Sequence, residues 1–425
     1  MFLSRQNTET KRTFEYLRTC RNRKLIMTTT KPGTKICTHF GTCGGCNYLD
    51  IDYTKELRKK EQNIKELFKS YRHLEFRTIV PSPSPENYRH KIQLPFGRRN
   101  IGNKTLLTLG LFNKESTFVL DQTECDIQDP GLTEIALAVK QWARREGLLP
   151  YNEKSKRGMM KYLVARKSFS TGEIILGIVT AKEDLPHSKD ASKRLHTAIQ
   201  NRIGKTGKLG KIVGIIQNIN TKHTTMALGR EEHLLWGRPY IHEHFGKHKF
   251  RVGLSTFLQV NPIQTPSLYN LVLDEIEPES RVIDAYSGIG TISFWISGNC
   301  KEVMGIEENP NSHRTALESI KYNKVHNVRF RKGRVADVLP SLYGKNYDTL
   351  VLDPPRTGLG TEVAETILGM GFKKIVYVSC DPMSLREDTN LLARQYFLNS
   401  VQPVDMFPRT DHVETVAVFR NKNIT

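Results

Sequence analysis

Residues 282–293 read V-I-D-A-Y-S-G-I-G-T-I-S, an apolar run that enters a turn containing Gly288 and Gly290. Glycines permit a tight turn and let backbone N–H groups approach a ligand closely. The pattern then predicts a helix and a second apolar run that ends at Glu307. An acidic residue in that place can accept hydrogen bonds from ribose hydroxyls. The succession of strand, glycine turn, helix and acid-ended strand predicts a nucleoside-binding α/β unit. A glycine pair alone also fits a simple tight turn.

Two classes of cofactor fit this turn, a dinucleotide and S-adenosylmethionine. Ser293 stands where a dinucleotide fingerprint has its third glycine. Asp284 precedes the turn, where its charge would repel a pyrophosphate but suit a cationic or hydroxyl-bearing ligand. These residues favour S-adenosylmethionine.

The sequence on both sides of the turn alternates between predicted strands and helices. Strands are predicted at 281–285, 302–306, 327–331, 348–353, 374–379 and 414–419. Helices are predicted at 262–275, 291–298, 310–323, 361–369 and 384–396. Such alternation with continuously apolar strands is typical of a parallel sheet covered on both faces. We therefore expect an α/β domain with a Rossmann-like parallel sheet at 236–425.

Two of these strands end in residues that can do chemistry. Residues 349–356 read T-L-V-L-D-P-P-R, and residues 375–380 read I-V-Y-V-S-C. Loops at the carboxyl ends of such strands line the ligand crevice, so Asp353 and Cys380 should face one pocket. A thiol in that position suggests covalent catalysis. The alternative is an inert buried thiol.

A second candidate group lies near the C-terminus. Residues 407–414 read F-P-R-T-D-H-V-E, which puts His412 and Glu414 at the start of the last predicted strand. The Glu414 carboxylate is a candidate general base. The alternative is a solvated glutamate at a strand edge.

The N-terminal half divides into a flexible basic tail at 1–30, a cysteine region with a helix at 31–75, and a central α+β domain at 76–235. Four thiols are candidate ligands: Cys37, Cys43, Cys46 and the more distant Cys125. Sets of four thiolates suit zinc or a [4Fe–4S] cluster. Two close pairs are typical of zinc ribbons, so three clustered cysteines plus a distant one favour the cubane.

The chain is strongly basic, with 64 Lys and Arg against 44 Asp and Glu among its 425 residues, a net charge of +20. This surplus favours nucleic acid as a partner over an anionic membrane, with a generally basic surface as the plain alternative. The basic stretches 21–24, 97–100 and 154–157 are candidate RNA contacts. We find no apolar run of transmembrane length and no signal peptide, so we expect a cytoplasmic protein.

The C-terminal motifs resemble those of the RNA uracil-C5 methyltransferases, class I enzymes that use S-adenosylmethionine. The resemblance rests on F-L-Q-V-N at 257–261, D-A-Y-S-G-I-G-T at 284–291, D-P-P-R at 353–356, S-C-D-P at 379–382 and H-V-E-T-V at 412–416. It implies that Cys380 is the nucleophile and Glu414 the base. It also implies a set of residues that contact the methyl donor or line its pocket. These are Gln259, Tyr286, Glu307, Asp337 and Asp353.

The cysteines are similar to those of the iron–sulfur branch of this family, which modifies 23S ribosomal RNA. Y-R-H-K-I-Q at 88–93 also resembles that branch. The resemblance implies a [4Fe–4S] cluster, ribosomal RNA as the partner and a monomeric chain. One departure is that too few residues precede Cys37 for the extra β-barrel domain often found there. The alternatives are a transfer-RNA uridine methyltransferase, a cytosine-C5 methyltransferase and a non-catalytic, ribosome-associated RNA-binding protein.

Overall fold

The computed structural model describes residues 36–102, 104–182, 188–204, 209–222 and 226–424. The expected basic tail at 1–30, with its basic stretch at 21–24, lies outside these residues. Among the described helices, none is long and apolar enough to cross a membrane.

The C-terminal half alternates strands and helices, as its apolar pattern predicts. Its strands are β10 (Arg281–Ala285), β11 (Glu302–Glu307), β12 (Val328–Lys332), β13 (Thr349–Leu352), β14 (Lys374–Ser379), β15 (Tyr396–Val404) and β16 (Glu414–Asn421). Its main helices are α4 (Thr265–Leu273), α5 (Thr291–Ile296), α6 (Pro310–Asn323), α7 (Val335–Val338), α8 (Gly360–Met370) and α9 (Pro382–Leu392). These bounds confirm the α/β alternation.

The described strands of this half join the short strand β1 (Glu75–Phe76) in one eight-stranded sheet, in the order β1-β15-β16-β14-β13-β10-β11-β12. Strands β10 to β14 run parallel, but β16 pairs antiparallel with both β14 and β15. The sheet is therefore mixed: the expected parallel pairing is present from β10 to β14, and the expectation of a parallel sheet fails only where β16 pairs. A strand whose residues are all apolar is buried on both faces, but its sequence does not show whether it runs parallel or antiparallel to its neighbours. The helix expected at 384–396 also ends earlier, at Leu392, because strand β15 begins at Tyr396.

The described central residues form a six-stranded sheet in the order β3-β2-β4-β5-β6-β7. Its strands are β2 (Lys91–Ile101), β3 (Lys104–Leu109), β4 (Met160–Lys167), β5 (Glu173–Thr180), β6 (Lys211–Ile219) and β7 (Glu231–Gly237). Helices α2 (Pro130–Arg145) and α3 (Ser188–Ile203) share a core with one face of this sheet. The hairpin β8 (Tyr240–Phe245) and β9 (His248–Gly253) packs in a core with the other face and with α5.

The first described helix belongs to the C-terminal core. Helix α1 (Tyr53–Phe68) begins after Asp52, whose side chain accepts a hydrogen bond from the Thr54 nitrogen at 2.8 Å. Its buried Ile64 and Phe68 pack in the same cluster as the C-terminal strands. The short strand β1 (Glu75–Phe76) then pairs in parallel with β15. The N-terminal segment thus covers one side of the C-terminal sheet.

Candidate active site

The two predicted catalytic side chains lie at the same edge of the C-terminal sheet. Cys380 directly follows β14, and Glu414 is the first residue of β16. These strands are antiparallel neighbours, with Ser379 opposite Thr415, so the end of one lies beside the start of the other. Asp353 follows β13, the other neighbour of β14. Sheet pairing therefore brings together three groups that are far apart in the sequence.

Burial and the charges of nearby carboxylates raise the pKa of all three groups. The pKa of Cys380 is raised to about 11 by burial and then by Glu414 and Asp353, while Arg356 opposes the shift. The pKa of Glu414 is raised to about 8 by burial and by Asp353. Burial and then Asp284 raise the pKa of Asp353 to about 7. The site therefore retains protons near neutral pH and needs a substrate or a pH change to release them.

Glu414 is placed to exchange a proton. Its side chain is 1% exposed, and its Oε2 atom has no hydrogen-bond partner among the described residues. A buried carboxyl oxygen without a partner is costly unless a ligand completes the site. This favours the role of a base over that of a solvated strand-edge carboxylate.

Helix α1 supplies one wall of the pocket in front of Cys380. The pocket is lined by Lys60, Asn63, Ile64, Arg356, Cys380, Asp381, Pro382, Asp411, His412 and Val413. The sequence predicts a helix in this segment, but nothing in its pattern indicates that it lines a pocket. His412 lies at this mouth, next to the start of β16.

The glycine turn has the left-handed backbone conformation that allows a ligand to approach closely. Tyr286, Gly288 and Gly290 all have φ in the left-handed region, at 65°, 58° and 84°. A Cβ atom on Gly290 would lie 2.4 Å from the Phe330 ring, so a larger residue cannot replace it without displacing that ring. Tyr286 adopts this conformation without being glycine, and such outliers cluster at ligand sites.

The acids around this turn are engaged with backbone and side-chain donors. Glu307 accepts hydrogen bonds from the Gly288 nitrogen at 2.9 Å and the Asn309 nitrogen at 2.6 Å. Buried Asp284 accepts one from the Ser293 hydroxyl at 2.5 Å, and its Oδ1 atom has no partner among the described groups. Glu307 therefore braces the turn, and Asp284 keeps one oxygen available for a ligand.

The remaining residues implied to contact the methyl donor differ in exposure. Gln259 is buried in the loop after β9. Asp337, in α7, is 60% exposed and lies 3.8 Å from Arg334. The structure thus brings Gln259 into the protein interior and leaves Asp337 on the surface near the carboxyl end of β12.

The four candidate ligand cysteines line one cavity, together with apolar side chains that include Leu111, Leu120 and Ile127. Burial raises the pKa of Cys46, and the neighbouring thiols Cys125, Cys43 and Cys37 raise it further. Within the described residues, no three His, Cys, Asp or Glu side chains are gathered closely enough to hold one metal ion. The thiols therefore surround a space and do not converge on a single point.

A buried cluster of charges joins α1 to the loop before β16. The Lys60 ammonium donates to Glu56 Oε1 at 2.7 Å and to Asp405 Oδ1 at 2.8 Å. The Arg409 nitrogen donates to the same Glu56 oxygen at 2.7 Å, and the Arg409 side chain is 1% exposed. Tyr53 also donates to Asp405, at 2.8 Å. These partners are up to 353 positions apart, so the sequence pattern gave no signal for them.

The chain is similar to known RNA methyltransferases. The family model for tRNA (uracil-5-)-methyltransferase matches residues 227–422. A protein of Leptospira interrogans named "uncharacterized RNA methyltransferase" is 45% identical over 91% of this chain and 99% of its own length. A Clostridium acetobutylicum protein, also named as an RNA methyltransferase, is 36% identical over 91% of this chain and 83% of its own length.

A solved structure extends the similarity to three dimensions. It is the Pyrococcus abyssi tRNA (uracil-54, C5)-methyltransferase in complex with S-adenosyl-L-homocysteine. It aligns with a TM-score of 0.71 and 25% identity, over 89% of this chain and 86% of its own. The shared architecture therefore covers both the central sheet and the C-terminal sheet.

Proposed function

The chain belongs to the RNA (uracil-5-)-methyltransferase family of S-adenosylmethionine-dependent enzymes, and we propose that it methylates C5 of a uridine through a covalent bond to Cys380. The observation that carries this proposal is the placement of Cys380 beside Glu414 at the meeting of two antiparallel strands. C5 of uracil is a poor nucleophile, and a thiolate that adds to C6 converts it into an enolate. S-adenosylmethionine supplies the electrophilic methyl group.

The chain's own residues handle the protons of this reaction. The half-buried Cys380 thiol first loses its proton to solvent, a step that the Arg356 charge favours and that the charges of Glu414 and Asp353 oppose. The Cys380 Sγ–C6 bond then forms, and the C5=C6 electron pair moves toward the C4 carbonyl. After C5 has gained the methyl group, Glu414 removes the C5 proton. The electrons left behind restore C5=C6 and expel the thiolate.

The pocket wall formed by α1 supports binding of a base that has left its stack. A uracil inside a helix cannot present C6 to a thiol, so the target nucleotide must be flipped out or lie in a single-stranded loop. Exposed Arg98 and Arg99 in β2, and the basic stretch 154–157, support the central sheet as the part that positions the RNA. Phosphate contacts of this kind fix register without reading sequence.

We propose that Cys37, Cys43, Cys46 and Cys125 hold a [4Fe–4S] cluster. Four thiols around one cavity fit the donor set of a cubane. Zinc ribbons more often show two close pairs of cysteines, whereas this chain has three clustered cysteines and a distant fourth. The reaction contains no redox step, so the cluster would stabilise the N-terminal loop.

The proposed substrate is 23S ribosomal RNA, modified in the cytoplasm by a monomeric enzyme. The cysteine pattern supports this choice. The second candidate is transfer RNA, which the solved Pyrococcus abyssi enzyme modifies. A non-catalytic role is disfavoured because the thiol, the buried carboxyl and the glycine turn are all present.

Nucleoside analysis of separated RNA classes tests the substrate. Ribosomal and transfer RNA from cells with and without the gene would be digested, and 5-methyluridine quantified in each. We expect one or more 5-methyluridines to disappear from 23S ribosomal RNA in the deletion strain. Loss from transfer RNA alone would replace the first candidate by the second, and loss of 5-methylcytidine would refute uridine as the target.

A further inference from the structure

Two cationic side chains face each other on neighbouring strands of the central sheet. Lys91 begins β2, and Arg166 is its direct partner across the antiparallel ladder in β4. Arg166 is 2% exposed, whereas Lys91 is partly exposed. Residues directly opposite each other have Cβ atoms about 5 Å apart, so the two positive charges are held close together.

The pair has no ion-paired carboxylate among the described residues. Neither cation forms an ion pair with a described acidic side chain, and the Arg166 Nε atom is buried without a hydrogen-bond partner. The charge of Glu243 does reach Arg166. Its oxygens, however, accept hydrogen bonds from the nitrogens of Phe169 and Ser170, at 2.8 and 3.0 Å. Burial and the adjacent Arg166 lower the pKa of Lys91 to about 7, as expected for two like charges without a counter-ion.

The pair lies under a loop of the proposed active site. An Arg166 Nη2 atom donates to the carbonyl of Thr256, and the His90 nitrogen donates to the carbonyl of Val260 at 2.9 Å. Between these anchors lie the 60% exposed Phe257 and the buried Gln259. This loop continues to Asn261, which donates to the Met406 carbonyl at 3.1 Å, in the segment that leads to Glu414. An anion held by the pair would therefore lie beside the catalytic region.

We propose that Lys91 and Arg166 bind one phosphate of the RNA backbone close to the target uridine. The inference rests on the proposed function, because it assigns a backbone site to the same substrate. A phosphodiester oxygen would accept from the partly exposed Lys91 ammonium, and the charge of the buried Arg166 guanidinium beside it would strengthen the attraction. The carboxylate of S-adenosylmethionine is also an anion that these two cations could bind. The test therefore separates an RNA phosphate from the methyl donor's carboxylate.

The test measures how RNA affinity depends on salt. Wild type and Lys91→Met would bind the in vitro transcript that the wild type methylates, 23S ribosomal RNA or transfer RNA, over a series of KCl concentrations. Loss of one phosphate contact should reduce the slope of log K against log salt by about 0.7 to 0.9. The charge-retaining Lys91→Arg should keep the wild-type slope. Lys301→Met is the matched control, since this exposed lysine directly precedes β11 in the C-terminal sheet, at the strand ends opposite to those that Asp353 and Cys380 follow.

S-adenosylhomocysteine binding, measured by calorimetry, is the second readout. We expect its affinity to be unchanged in Lys91→Met. A weaker affinity for S-adenosylhomocysteine with an unchanged salt slope would assign the pair to the methyl donor's carboxylate and overturn the phosphate site. An unchanged slope with normal affinity for both ligands would also overturn it. Absence of 5-methyluridine with the wild type would instead refute the proposed function, whatever the slopes.

Discussion

The backbone nitrogen of Asn47, the residue after Cys46, donates a 2.8 Å hydrogen bond to the carbonyl oxygen of Arg409. The Asn47 side chain also accepts from the Asp411 nitrogen at 3.3 Å. Three residues beyond Asp411 lies Glu414, the proposed base. The loop that carries the candidate cluster ligands is therefore bonded directly to the segment that places the base. A change that disrupts the structure of the cysteine loop should therefore also displace the segment that positions Glu414, and the reverse should hold.

Replacement of Glu414 by Gln should stall the reaction after methyl transfer. The amide cannot remove the C5 proton, so the thiol cannot leave and the enzyme should remain joined to RNA. We expect a covalent species that migrates slowly in a denaturing gel, with turnover reduced at least about 100-fold. Glu362→Gln, on the exposed start of α8, is the matched control and should turn over normally. Normal turnover by Glu414→Gln without a trapped species would require a different base.

The activity of the wild type should rise with pH between about 6 and 9. Glu414 must be ionised to act as a base, and its pKa is raised to about 8. Ionisation of the Cys380 thiol, with its pKa near 11, changes the rate in the same direction. A single-turnover rate measured across this range, with RNA saturating, checks the dependence. A rate that falls from pH 6 to pH 8 would contradict the proposed roles.

Stability gives an independent test of the same buried carboxyl. The native pKa of Glu414 is raised from 4.5, so the folded state holds the proton more tightly than the unfolded state. Its contribution to stability is complete below about pH 4.5 and is lost as the pH rises through about 8. The free energy of unfolding should therefore fall less steeply over this window in Glu414→Gln than in the wild type. Parallel curves would show that Glu414 is already ionised in the folded enzyme.

Protein purified without oxygen should be brown and contain about four irons per chain. Cys43→Ser or Cys125→Ser should lose the colour and most of the iron, because each removes one ligand of the proposed cluster. Cys300→Ser is the control, since this half-buried thiol lies in the C-terminal half, away from the four-cysteine cavity. Stoichiometric zinc without iron in the anaerobic wild type would reject the cubane.

Lys60→Met should destabilise the fold strongly. The substitution removes the cation of buried Asp405 and leaves Glu56 with only Arg409, at 3.5 Å, and removal of one partner from a buried ion pair costs about 3–5 kcal/mol. The matched control is Lys65→Met on the same helix. Lys65 is 53% exposed and pairs with Glu61, so its loss should cost at most about 1 kcal/mol. Denaturant unfolding of both variants measures the difference, and equal costs would contradict a structural role for the buried cluster.

Much of the C-terminal fold follows from the sequence because its strands and helices are local and strongly patterned. The bounds expected for β10, β14 and α6 match the structure, and the residues after β13 and β14 lie at one edge as predicted. The role of α1 was not predictable. Its Glu56 and Lys60 have the i,i+4 spacing that is common on exposed helix faces, yet both are buried. Lys60 also pairs with Asp405, which is 345 positions away. Contacts at that separation depend on the tertiary fold and leave no local periodicity.

The central claim is that Cys380 bonds to C6 of a uridine in RNA. RNA that carries 5-fluorouridine tests it most directly, because fluorine at C5 cannot leave as a proton and the adduct should persist. We predict a denaturant-stable complex with the wild type in the presence of S-adenosylmethionine. Digestion and mass spectrometry should locate the nucleotide on the peptide that contains Cys380. Cys380→Ala should bind the same RNA without forming the adduct. An adduct on another residue, or full methylation of normal RNA by Cys380→Ala, would contradict the claim.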